Sequence, residues 1–101
     1  MNMQQMVQAM QKAQREFNKE YAKLEAKEFK ENANGVVEVT VMGDLTLKEV
    51  NILDDSLLSK ENKEELGEMI CLAYKKCQEK IQKESDEISA KFKQGAGGMM
   101  F

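Results

Sequence analysis

Five basic side chains, Lys12, Arg15, Lys19, Lys23 and Lys27, recur at steps of three and four near the start of the chain. On a helix that spacing gathers them into one stripe. Such a stripe can contact a row of phosphates, and it is equally the pattern of a solvated, salt-bridged face. Glu16 and Glu20 stand at spacings that allow ion pairs with Lys19, Lys23 and Lys27. Lys76, Lys80 and Lys83 repeat further on, where with Glu79, Glu84 and Glu87 they read as solvated. Other chemistry is scarce. There is no His to act as a base or metal ligand. Asp54-Asp55 offers an acid pair, but paired Asp at a strand exit ordinarily serves turn and helix entry. Cys71 and Cys77 lie six positions apart. That spacing is about 120° around a helix, too divergent to bridge, and it is not CxxC. Both read as reduced thiols, at least one of them in the core. The GAGG run near the end follows no strand and precedes no helix, so it is not a phosphate loop. No catalytic residue, metal, cofactor or small-molecule substrate is expected.

These groups must be carried by two long helices and a short sheet. At 101 residues with 42% hydrophobic and 33% charged residues, the chain reads as one soluble domain. No apolar run approaches the ~20 residues of a membrane span. The N-terminus lacks a basic start followed by an apolar core. A cytoplasmic location without membrane contact is the expectation. Met3, Val7, Met10, Gln14, Phe17, Tyr21 and Leu24 form a seam at alternating steps of four and three, which predicts a helix over about 2–27. The period then changes to two. Strands are predicted at about 28–33, 35–42 and 45–53, with a hairpin turn at Asn34-Gly35 and a second turn at Gly43-Asp44. Val37, Val39 and Val41 line one face. Leu45 and Leu47 are out of phase with Val50 and Ile52, which predicts a β-bulge near Lys48-Glu49. A second helix follows over about 60–93, with Asn62 and Glu65 as a capping box. Gly67 suggests either close packing or a late helix start. Beyond Ile81 the apolar stripe thins, and this half reads as projecting from the core. Residues 1–93 are thus a single α+β domain, a two-layer αβββα protomer with a three-stranded antiparallel meander between two long helices; 94–101 read as a flexible Gly/Met-rich tail.

The first helix outruns the sheet. Strands of about seven residues make a sheet of ~23 Å, whereas the helical seam runs ~37 Å. Met3, Val7 and Met10 would overhang into water, and a second copy is the remedy. A homodimer is therefore expected, with Met3, Val7, Met10 and Phe17 at its interface. A prefoldin-like subunit shares the helix–strands–helix plan, but has longer helices, uninterrupted heptads and paired hairpins.

The chain resembles the YbaB/EbfC nucleoid-associated family over nearly its whole length. The resemblance rests on Met6–Arg15 (MVQAMQKAQR), the Gly35–Gly43 strand ending in VTVMG, and Val50-Asn51-Ile52 leading to Asp54 and SLL at 56–58. Leu66, Met69-Ile70, Ala73, Lys76, Lys80 and the Gly/Met-rich tail support it. Asp54-Asp55 stands where the family often has Asp-Pro. The resemblance implies an intertwined αβββα homodimer that binds double-stranded DNA with little sequence preference and associates with the nucleoid. Nucleoid organisation and gene expression are what such binding would influence. Charge and helix phase then make Lys12, Arg15, Lys19 and Lys23, with Lys76, Lys80 and Lys83, the candidate DNA contacts.

The charge distribution is compatible with this. Residues 1–27 carry five basic and three acidic groups, 28–58 two against seven, and 59–101 eight against eight. The sheet region is therefore a poor DNA face, and any grip belongs to the helices. Arg15 is the one arginine among fifteen basic residues, which disfavours guanine readout. The alternative is a dimeric interaction adaptor or chaperone-like module using the helix ends and Met99, Met100 and Phe101.

Overall fold

The computed structural model describes residues 2–95. The first helix, α1, spans Met3–Glu25. Asn2 starts it with a capping box: its side chain accepts the Gln5 N–H at 2.7 Å, and the Gln5 side chain accepts the Asn2 N–H at 3.4 Å. Two of the orphan donors of the first turn are satisfied this way. The box expected at Asn62 does not form. Asn62 closes a short 3-10 turn, and its amide donates to the Ser56 carbonyl at 3.0 Å.

The three strands, β1 (Glu28–Ala33), β2 (Val37–Met42) and β3 (Leu47–Ile52), form an antiparallel meander in the order β1-β2-β3. β2 and β3 are shorter than expected because both turns take more chain. Asn34 and Gly35 have φ of 53° and 72°, the positive pair a type I′ turn needs. Ala33 nevertheless pairs with Val37, which leaves Val36 in the loop, its carbonyl accepting from Leu53 and Asp54 N–H. At the second turn Leu45 sits at φ 74° and belongs to the turn. The bulge falls where the phase change put it. Thr40 pairs with Glu49 and Val41 with Leu47, so Lys48 is the extra residue.

Two 3-10 turns, Asp55–Leu57 and Lys60–Asn62, lead into α2, Lys63–Gly95. This helix packs across β1 and β2. Ala73, Cys77 and Ile81 meet Leu24, Phe29, Ala33, Val37, Val39 and Val41 in one buried cluster. Each large side chain fully buried there contributes roughly 1.5–3 kcal/mol. β3 lies outside that cover. Leu47 and Val50, on the same sheet face as Val41 and Val39, stay 44% and 38% exposed. Neither expectation for Gly67 holds: α2 starts at Lys63, so the glycine lies inside the helix, and a Cβ there would meet nothing within 4 Å.

Beyond Ile81, α2 runs antiparallel beside α1. Phe17 meets Phe92 edge-on at 5.6 Å and stacks on Tyr21 at 5.8 Å. Tyr21 and Ser85 hydroxyls approach to 3.4 Å. This half of α2 leaves the sheet in company with α1, to which those aromatic and hydroxyl contacts hold it. The result is a body at one end and a two-helix arm at the other, 69 Å along the long axis and 20 × 16 Å across. Gln94 and Gly95 close the helix; the rest of the expected tail, 96–101, lies outside the described residues. No described helix is long and apolar enough to cross a membrane.

Candidate nucleic-acid interface

The basic stripe of α1 divides into members with different partners. Lys12, Arg15 and Lys19 have no carboxylate within ion-pair distance among the described residues. Lys23 reaches Glu20 at 3.6 Å across one turn. An exposed pair of this kind contributes about 0–1 kcal/mol and yields easily to a competing anion. Lys27 is committed elsewhere: it meets Glu84 at 2.9 Å and stands 5.1 Å over the Phe29 ring. It ties the end of α1 to α2.

Antiparallel pairing brings a further cation to this surface. Lys19 and Lys23 of α1 and Lys91 of α2 line one groove, with Glu16, Glu20 and Phe92 also in its wall. The Lys91 ammonium lies 5.5 Å over the Phe92 ring. Three amines from two helices thus converge where the arm begins. Lys91 was missed in the sequence, since its meeting with Lys19 depends on how two distant segments pair. Its position beside Phe92, an aromatic on the apolar stripe, was the available signal.

The other candidates on α2 are distributed differently. Lys76 donates to the Asn32 carbonyl at 3.0 Å, and Lys80 pairs with Glu31 at 3.1 Å. These two, expected to be solvated, fasten α2 to β1. Lys83 shares a shallow stretch of α2 surface with Glu79, Asp86 and Glu87. Lys19 and Lys23 therefore share a groove with Lys91, whereas Lys76 and Lys80 are engaged with β1.

Away from the arm, the titratable groups do structural work. The Asp44 side chain accepts the Thr46 N–H at 2.9 Å and Asp54 accepts the Ser56 N–H at 3.0 Å. The Thr46 and Ser56 side chains first, and then these backbone N–H groups, hold the two carboxyls below the usual aspartate range. Asp54 is thus a cap for the turn that Asp55 begins, as the turn-and-entry reading has it. A hydrogen bond from Lys48 lowers the Glu28 carboxyl and raises the lysine in return. Cys71 is exposed and Cys77 buried, both free. Burial, then the nearby Glu31, pushes the Cys77 thiol up.

Apolar exposure marks two separate places. One is the bare half of the sheet, at Leu47 and Val50. The other is the tip of α1, with Met3, Met6, Val7 and Met10 exposed. Phe17, expected at a dimer interface, stacks on Tyr21 and meets Phe92 of its own chain edge-on.

The chain matches the YbaB/EbfC DNA-binding family over residues 1–96. It is 34% identical over 98 residues to a protein of Enterococcus faecalis named nucleoid-associated protein, covering 96% of this chain and 93% of that one. It is 33% identical over 92 residues to an uncharacterized protein of Mycoplasma genitalium, covering 90% and 91%. With its helix–three strands–helix order and a match that takes in both helices and the sheet, the chain belongs to the YbaB/EbfC DNA-binding family.

Proposed function

We propose that this protein binds double-stranded DNA in the cytoplasm as a homodimer with little sequence preference, as a component of the nucleoid. Each arm contacts phosphates through Lys12, Arg15, Lys19 and Lys23, joined by Lys91. The carrying observation is that a chain of a DNA-binding family presents on the arm, away from its acidic sheet, Lys12, Arg15 and Lys19, cations without carboxylate partners among the described residues. Phosphate contacts position a protein without reading bases, and a surface built from Lys with a single Arg suits that role. The bare sheet half around Leu47 and Val50 supports the dimer, because a second copy placed there covers apolar surface that α2 leaves wet.

Salt-titrated binding to two unrelated duplexes tests the reading. The logarithm of affinity should fall linearly with the logarithm of salt, with a slope of about −0.9 per phosphate neutralised. Reversing charge at Lys12, Arg15 and Lys19 together should weaken both duplexes alike. Lys91→Gln should make the slope less negative by about one phosphate; Lys80→Gln, at the β1 clamp, should leave it unchanged. No binding at moderate salt, or binding indifferent to the triple reversal, would overturn the assignment. A mass of 11.5 kDa in solution at low micromolar concentration, one chain, would overturn the dimer. The exposed apolar tip of α1 favours a second reading, an adaptor for other proteins. Partners that persist after nuclease treatment would select it.

A further inference from the structure

The first turns of α1 carry an apolar stripe that is largely uncovered among the described residues. Met6, Val7 and Met10 are 40–46% exposed and Met3 81%, whereas Leu24 at the far end of the same seam is buried. Phe17 lies against Phe92, and from there α1 runs on for about 20 Å to Met3. Three features of this tip select its occupant. The first is symmetry. Steps of three, one and three separate Met3, Met6, Val7 and Met10. Two tips set antiparallel about a two-fold axis therefore bring Met3 against Met10, and Met6 against Val7, of the second copy. A surface that maps onto itself in this way is what two identical chains need. The second is charge. No side chain from Asn2 to Gln11 is charged, in a chain that is 33% charged. At about 100° per residue the stripe is flanked by Gln4 and Gln11 on one side and by Asn2 and Ala9 on the other. In a helix pair such flanks face those of the partner. Neutral flanks never repel their own copy, whereas contact with a different charged protein is steered by opposite charges. The third is direction. The stripe lies about half a turn around α1 from Lys12, Arg15 and Lys19, so it stays clear of whatever the basic face holds.

We infer that the tips of α1 from two copies pair antiparallel through Met3, Met6, Val7 and Met10. Methionine suits the contact, since its flexible thioether adapts to an irregular surface. Four partly exposed side chains from each copy make less than the ~1,200 Å² of a stable interface. The pair is therefore weak between free molecules and fills where molecules are held close together. The bare face at Leu47 and Val50 belongs to the body, whereas the tip ends the arm, so a sheet contact and a tip contact are compatible in one molecule. One consequence rests on the DNA-binding reading: a duplex supplies the proximity, and each tip pair then links two DNA-bound copies. The pairing itself needs no DNA.

Sedimentation velocity on the full chain, from low micromolar to near-millimolar concentration, tests it with the wild type and two double variants, M6E with V7E and M6K with V7K. The wild type should gain mass with concentration beyond the unit it forms at low micromolar levels. Each variant alone should lose that step, its association constant falling at least ~10-fold, because like charges then meet across the axis. An equimolar mixture of the two variants should regain it, since an acidic tip then meets a basic one. Both positions are exposed, so far-UV dichroism should be unchanged in all three proteins. A wild type of constant mass, or a step that survives in either variant alone, would overturn the inference. So would a mixture that stays unassociated, which would show the tip meeting a different surface. Duplex binding measured in parallel reads the DNA assignment separately, and either can fail without the other.

Discussion

Gly43→Ala places a methyl carbon 1.7 Å from the Leu24 oxygen and 2.6 Å from its carbonyl carbon. Non-bonded heavy atoms settle at about 3.5–4 Å, so the end of β2 and the end of α1 must part by nearly 2 Å. Neither neighbour is a flexible side-chain tip; both are backbone. Separation stretches the bond from the Gly43 N–H to the Lys27 oxygen, now 2.9 Å, at a net cost of about 1 kcal/mol. It also partly unpacks Leu24, 4% exposed, for up to ~2 kcal/mol. A loss of about 3 kcal/mol is expected, a large share of the ~5–15 kcal/mol of a typical domain. The corresponding fall in Tm is on the order of 12 °C or more. Urea unfolding followed by far-UV dichroism measures it, at one protein concentration because assembly adds its own stability. Gly67→Ala is the companion measurement. There the added carbon meets nothing within 4 Å, and an alanine in a helix gains about 0.5–1 kcal/mol over glycine. One chemical change should thus act with opposite signs at two positions. A Gly43→Ala protein within about 1 kcal/mol of wild type would refute the packing of α1's end against β2.

The thiols should separate cleanly: a thiol-specific reagent is expected to modify Cys71 in the folded protein and Cys77 only after unfolding, because burial both hides that sulfur and pushes its pKa up. Labelling of both at the same rate under native conditions would contradict this. Acid should weaken the fold through Asp44 and Asp54, whose folded pKa values are depressed. Their contribution is complete above the unfolded aspartate value of about 3.9 and is lost as pH falls through the lower folded values. Stability measured from pH 6 down should therefore bend below about pH 4, and Asp44→Asn with Asp54→Asn should soften the bend.

Local signals carried much of this architecture. Asn34-Gly35 announces its positive-φ pair, Val37, Val39 and Val41 announce a strand with one buried face, and the slip from Leu47 to Val50 locates the bulge. Each depends on residues close in sequence. The capping box at Asn2 was equally local, an Asn followed three residues later by Gln5, and went unread. Pairings between distant segments were hidden. Nothing in the thinning stripe after Ile81 says that Phe92 will find Phe17. Lys76 and Lys80 look like any solvated lysines until β1 supplies the Asn32 carbonyl and Glu31. Periodicity also tells which residues of β3 are apolar without telling what covers them, so the exposure of Leu47 and Val50 was not legible. For the site, the α1 stripe was legible because one helix carries it, while Lys91 was not, because two helices make that groove.

The extra residue at Lys48 bears on how copies of this chain can associate. A three-stranded sheet has two outer edges, here β1 and β3. Joining β3 of one copy to β1 of the next is a head-to-tail contact that never closes, and such contacts grow into filaments. Regular pairing along an edge needs an even row of N–H and C=O groups, and a bulge breaks that row and twists the strand away. Lys48 breaks it near the start of β3 and adds a charge there, tied to Glu28. The apolar face beside it remains open, and face-to-face association of two identical sheets satisfies itself at two copies. A single inserted lysine thereby sets this edge against endless strand-by-strand growth.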